Sequence, residues 1–301
     1  MAALSGVFPM VVTPFTTGGA VSETELPGVV SFVLESGCHG VGALGLGAEV
    51  GALTPDERRR IAEIVVGAAA GMPALVGCSS DETDLSVALA VHAAETGAAL
   101  IVVAPPPQPD WTREQLVEHY LRIAGAVDPL PVMVQDAPAF IGVALDGEFV
   151  RELRTSADNV RYVKSEAVPA ADTVAALATL DEVSVFGGHG ALYYLDVLDA
   201  GATGMIPGCE LAAAYARIFE LHRAGERDLA QQLFAQVLPL VVTQFQSLDY
   251  FVAATKIVLA DRGVIERADV RRGAAISAFG RELLLRQAAF ALAAERDAVA
   301  T

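Results

Sequence analysis

Lys164 closes the apolar run Val160–Lys164, and Glu166 follows two residues later. An ammonium brought among apolar neighbours is disfavoured relative to the free amine, and a free amine attacks a ketone to form a Schiff base. A structural ion pair with Glu166 is the other reading open here. The only other lysine, Lys256, lies in an amphipathic stretch near the C-terminus that suits a structural role, and the remaining 18 of the 20 basic residues are arginine. Gln135 and Asp136 end a second apolar run, and His189 follows Gly187 and Gly188 at the end of a third. The imidazole suits either protonation of a substrate oxygen or a structural hydrogen bond. In the turn Gly45–Ala48 successive backbone N–H groups precede a helix start, an arrangement that holds a carboxylate or phosphate. It is neither a dinucleotide fingerprint nor a P-loop. His39, His92, His119 and His222 show no metal-ligand spacing with carboxylates, so no metal and no cofactor is expected.

These residues share one kind of place, the end of a short apolar run, and the elements around them recur. Gly6–Thr13 is such a run, and Glu23–Ser36 follows with helical spacing behind a Ser22 cap. The order repeats as Gly40–Leu44 with Pro55–Ala70, capped by Thr54, then Ala74–Gly77 with Thr83–Thr96, and Leu100–Val103 with Thr112–Gly125. Val132–Gln135 with Gly147–Thr155, Val160–Lys164 with Ala170–Leu180, Val183–Phe186 with Ala191–Ala200, and Gly204–Ile206 with Glu210–Ala224 complete eight units. Continuous apolar strands alternating with helices imply a parallel sheet buried on both faces. Eight such units before residue 225 imply an α/β fold closed into a (β/α)8 TIM barrel, in preference to an open doubly wound sheet. Arg227–Gln246, Leu248–Asp261 and Asp269–Asp297 then read as helices with no strand between them. Residues 1–224 are therefore read as the barrel, and 225–301 as a C-terminal helical extension docked on its outer face.

Composition excludes several classes of function. A formal net charge of −17 speaks against nucleic acid and against a polybasic membrane surface, since both need clustered cations. The charge-poor stretches Met1–Ser22 and Leu229–Leu248 are broken by proline and polar residues, which suits neither a signal peptide nor a membrane span. Cys38, Cys78 and Cys209 are odd in number and widely spaced, so a reducing cytoplasm is expected.

With Lys164 on the sixth strand, the chain resembles the dihydrodipicolinate synthase and N-acetylneuraminate lyase family, the Schiff-base lyases of pyruvate type. The resemblance is carried by GVFPMVVTPF at Gly6–Phe15, by Gly45–Glu49 with Leu53-Thr54, and by PVMVQDAP at Pro131–Pro138. YVKSE at Tyr162–Glu166 and GATGMIPG at Gly201–Gly208 complete it. It implies Lys164 as the Schiff-base lysine, the amides of Gly47 and Ala48 as carboxylate donors, and Ile206 as a wall of the pyruvyl pocket. It also implies a small-molecule 2-keto acid substrate and a homo-oligomer, dimer or tetramer. Thr13, Asp136 and Gly187, at other strand ends, join the expected substrate-binding set.

The departures from the pattern are informative. Gly45-Leu46-Gly47-Ala48-Glu49 stands where the family has Gly-Thr-Thr-Gly-Glu, and Gln135-Asp136-Ala137-Pro138 where it has Tyr-Asn-x-Pro. The partner tyrosine aligns with Pro105–Pro107 and the carboxylate-gripping arginine near Phe140. Condensation of pyruvate with aspartate semialdehyde by the usual route is not expected, because Gln135 shuttles no protons near neutral pH. The Gln-Asp-Ala-Pro segment, the Lys-x-Glu pair and the glycine-rich seventh strand end look most like the branch that dehydrates 2-keto-3-deoxy sugar acids. In that reading Lys164 forms the iminium and Glu166 takes the C3 proton, while Gln135 orients the substrate and His189 or a bound water protonates the leaving hydroxyl. A pyruvate-yielding aldolase and a non-catalytic keto-acid-binding protein remain as alternatives.

Overall fold

The structure, a computed structural model, describes residues 3–108 and 110–299. Short runs rich in Val, Ile and Leu form the strands β1 (Gly6–Val7), β2 (Val41–Ala43), β3 (Ala74–Gly77) and β4 (Leu100–Val103), followed by β5 (Val132–Asp136), β6 (Val160–Ser165), β7 (Ser184–Gly187) and β8 (Gly204–Met205). Between them run α1 (Leu26–Glu35), α2 (Pro55–Ala68), α3 (Thr83–Thr96), α4 (Arg113–Val127), the short α5 (Pro138–Ile141), α6 (Gly147–Ser156), α7 (Ala170–Leu177) and α8 (Tyr194–Asp199). After β8 come α9 (Ala212–Arg223), α10 (Arg227–Gln244), α11 (Leu248–Asp261) and α12 (Ala278–Val299). Thr54 caps α2 in a reciprocal box with Glu57, with Pro55 in the first turn. Thr112 and Gln115 do the same for α4. Ser22 does not cap α1: its hydroxyl lies 3.4 Å from that of Thr24, and the helix starts at Leu26 with Pro27 in its first turn.

The strands lie in the order β1-β8-β7-β6-β5-β4-β3-β2, a sheet wrapped once around. Met10 closes it, bridging in parallel to Gly42 and to Gly208. Pro9 has no N–H to give, which is why the run Gly6–Thr13 yields a two-residue ladder and then single bridges. Its carbonyl still accepts from Gly42 N at 2.9 Å. Phe8, Leu75, Leu100, Val102, Met133, Tyr162, Phe186 and Ile206 pack inside the barrel, as a cluster apart from the larger one between strands and helices. The Tyr162 hydroxyl accepts from Leu4 N at 2.9 Å, which ties the N-terminal segment to the barrel interior.

Register fixes what reaches the mouth. Met133 pairs with Tyr162 in the core, and two residues on Gln135 pairs with Lys164. Because strand side chains alternate, Gln135, Lys164 and Glu166 face inward, whereas Asp136, Ser165 and Gly187 face the helices.

The extension does more than coat the barrel. Val237, Leu240, Val258, Leu259 and Leu284 join the same apolar cluster as the outer strand faces. The helix expected from Asp269 begins only at Ala278. In the intervening segment the Asp269 carbonyl accepts from Lys256 Nζ at 2.8 Å, and the amides of Arg271 and Arg272 donate to Glu49 Oε2 at 2.8 Å each. No described helix is long and apolar enough to cross a membrane.

Candidate active site

Lys164 ends the inward face of β6 with only 6% of its surface exposed, as does Glu166. Their charged ends are 3.4 Å apart. The carboxylate is held on both oxygens: His189 N donates to Oε1 at 2.8 Å, and Gln135 Nε2 donates to Oε2 at 2.6 Å. Burial pushes the Glu166 carboxyl up, but the Lys164 charge, the His189 amide and the Gln135 amide together hold it below the usual carboxylate range. The Glu166 carboxylate is therefore ionised at neutral pH beside Lys164.

Of the other expected residues, some meet this pair and others do not. Gly188, which sequence reasoning passed over in favour of Gly187, is the glycine at the lysine. A Cβ on it would lie 2.6 Å from Glu166 Cγ and 2.7 Å from Lys164 Cε, whereas one on Gly187 would meet Met205 and Val197. His189 serves Glu166 through its main chain. Its Nδ1 lies 3.0 Å from the Glu166 carbonyl, and its ring packs against Phe140, Tyr193 and Phe245. Asp136 points away from the mouth, accepting from Leu145 N at 3.0 Å, and burial pushes its carboxyl up to about 6.

After β2 come two 3-10 turns, Leu46–Ala48 and Val50–Ala52, with Glu49 between them. Ala48 N donates to Gly45 O at 2.9 Å, so the amides left over are those of Leu46 and Gly47, ahead of the first turn bond. Thr13 Oγ1 donates to Ala48 O at 2.8 Å, which makes Thr13 a brace between the segment that follows β1 and the first of these turns. Glu49 follows in the left-handed region at φ 61° and pairs with Lys256 Nζ at 2.5 Å, deep in the protein. Burial lowers the Lys256 ammonium from its ordinary range while the Glu49 carboxylate opposes that shift.

A model of the dihydrodipicolinate synthetase family matches residues 3–276. The chain belongs to this family. It is 30% identical over 267 residues to an L-2-keto-3-deoxyarabonate dehydratase of Azospirillum brasilense, covering 86% of this chain and 85% of that one. It is 31% identical to a 4-hydroxy-tetrahydrodipicolinate synthase of Methanopyrus kandleri, over 79% of this chain and 80% of the other. Among solved structures, a dihydrodipicolinate synthase from Rhodopseudomonas palustris superposes with a TM-score of 0.88 at 27% identity, covering 97% of each chain. A sialic acid aldolase of Ruminococcus gnavus, a catalytic lysine mutant, shares the fold at a TM-score of 0.90 and 21% identity, again over 97% of each chain.

In this dihydrodipicolinate synthetase family member, a chamber of about 30 Å³ lies against Lys164 and Glu166. Met10, Leu46, Gly47 and Ile206 line it together with Phe140, Phe245, Leu248 and Phe251. Phe245, Leu248 and Phe251 come from the C-terminal extension and were not foreseen. Gly190 and Gly208 hint at them: a Cβ on Gly190 would lie 2.3 Å from the Phe245 ring, and one on Gly208 2.9 Å from that of Phe251. Leu46, Phe140 and Leu248 also border a groove of about 600 Å³ that leads outward.

Proposed function

We propose that the chain is a Schiff-base lyase that dehydrates a 2-keto-3-deoxy sugar acid through an iminium on Lys164. The observation that carries the reading is the ionised Glu166 carboxylate 3.4 Å from the Lys164 amine, with Gln135 in place of a strand 5 tyrosine. The dehydratase among its relatives supports it.

The Lys164 ammonium passes one proton to the C2 oxygen as the freed amine attacks C2, and that oxygen departs as water with a second nitrogen-bound hydrogen, leaving the iminium with the third. C3 then lies one C–N and one C–C bond from Nζ, about 2.5 Å away, within reach of Glu166. Glu166 takes the C3 proton and the electrons of that bond neutralise the nitrogen as an enamine. Loss of the positive charge removes the chief influence that keeps Glu166 acidic, so the carboxyl gains proton affinity as it receives the proton. It returns that proton to the C4 hydroxyl, which leaves as water while the iminium re-forms in conjugation with C3=C4. Hydrolysis by one water frees Lys164, for a net loss of one water. With a C5 hydroxyl present, proton shifts from C5 to C3 and from that hydroxyl to C4 give a dioxo acid. His189 and Gln135 position Glu166, and the amides of Leu46 and Gly47 receive the substrate carboxylate.

Borohydride trapping with pyruvate and with a 2-keto-3-deoxypentonate, followed by mass mapping, tests the reading. An adduct at Lys164 and a dioxo acid without pyruvate are expected. Released pyruvate would replace the dehydratase by the aldolase, and absence of the adduct would remove both.

A further inference from the structure

The chamber beside Lys164 has two polar side chains, Lys164 and Glu166, and both are committed to the reacting carbons in the reading above, on which this inference rests. The chamber's other side chains are apolar, and the charged groups of the outward groove, Arg58, Asp81, Glu82, Asp249 and Arg272 among them, border that groove and not the chamber. Phe245 lies 5.7 Å from Phe140 and 5.1 Å from Phe251, ring centre to ring centre. The passage from chamber to groove is bordered by Leu46, Phe140 and Leu248, again without a polar side chain. Phe140 and Phe245 are only half buried, so their faces are available to a ligand. A chamber of about 30 Å³ holds little more than one water, so a five-carbon acid must displace these rings and finish in contact with them. A carboxylate arriving there would lose its hydration and gain no donor, whereas a methyl or aryl group would lose only unfavourable contact with water.

We propose that Phe140, Phe245 and Phe251 form a specificity wall that selects 2-keto acids whose end beyond C4 carries no charge. The wall sets binding preference and takes no part in proton transfer.

Three acids without a leaving hydroxyl test this independently of turnover: 2-oxopentanoate, 4-phenyl-2-oxobutanoate and 2-oxoglutarate, with dissociation constants measured by calorimetry and pyruvate as the short control. The first two are expected to bind at least about tenfold more tightly than 2-oxoglutarate. In Phe140→Ser and Phe245→Ser, which leave the net charge unchanged, that gap should narrow at least fivefold, with pyruvate binding by the same variants as the reference for an intact fold. Equal or tighter binding of 2-oxoglutarate by the unmodified protein overturns the wall whatever the variants do. So does an unchanged gap in variants that still bind pyruvate. The expected order without a borohydride adduct at Lys164 would keep the wall and remove the lyase reading.

Discussion

Gln135 donates its side-chain amide to Glu166 Oε2 at 2.6 Å, from the strand next to the one that bears Lys164. That bond stabilises the carboxylate and, in the proposed reaction, helps to set the pH at which Glu166 can accept a proton. In Gln135→Ala the Glu166 carboxyl is expected to rise, and the acidic limb of the kcat profile should move to higher pH, with kcat falling about tenfold or more. Trapping of pyruvate on Lys164 should persist. A pH–rate series on both proteins checks this, and an unmoved limb would show that Gln135 does not tune the base.

Gly188 lacks the atom that would occupy the same space as the Lys164 and Glu166 side chains. Gly188→Ala should push the two apart and slow both adduct formation and turnover, by about a hundredfold for the latter. Thermal unfolding close to that of the unmodified protein would assign the loss to the site.

Lys256 and Glu49 form a buried pair that anchors the residue directly after the turn Leu46–Ala48. Lys256→Met leaves Glu49 with two backbone amides and only the weaker influence of the Arg271 charge, and should cost about 3–5 kcal/mol in urea unfolding. Because the turn loses its anchor, KM for the keto acid should rise at least threefold in protein that remains folded. An unaltered KM would confine the pair to a stabilising role.

Glu210 is wholly buried with one carboxyl oxygen unpartnered, and burial pushes it up from 4.5 to about 7. A raised carboxyl binds its proton more tightly when folded, so its contribution is complete below pH 4.5 and is lost as pH climbs through 7. Glu210→Gln does not titrate. Between pH 4.5 and pH 8 its stability relative to the unmodified protein should therefore gain about 2–3 kcal/mol. Urea unfolding of both proteins at the two ends of the range measures the difference, and a constant difference would contradict it.

Strand parity explains much of what the sequence disclosed about the site. Lys164 and Glu166 are two apart on β6 and its extension, and Gln135 is in register with Lys164, so all three turn inward together. By the same parity Asp136 and Gly187 turn outward, and counting back from Lys164 separates them without a structure. The barrel was legible for a similar reason: each strand is a continuous apolar run, and Thr54 and Thr112 announce their helices with complete capping boxes. Phe245 and Phe251 were hidden because an apolar residue in an amphipathic helix reads as core, and nothing local shows that these two reach over the barrel mouth. The late start of α12 was equally hidden, since the preceding backbone is held by Glu49 and Lys256 from distant segments.

Both lysines are withdrawn from solvent, at 6% and 0% exposure, so the folded surface offers no side-chain amine to a reagent. Amine-directed cross-linkers and fluorophores will pass over its side chains while it stays folded. Acylation of Lys256 then becomes a clock for opening of the C-terminal helices.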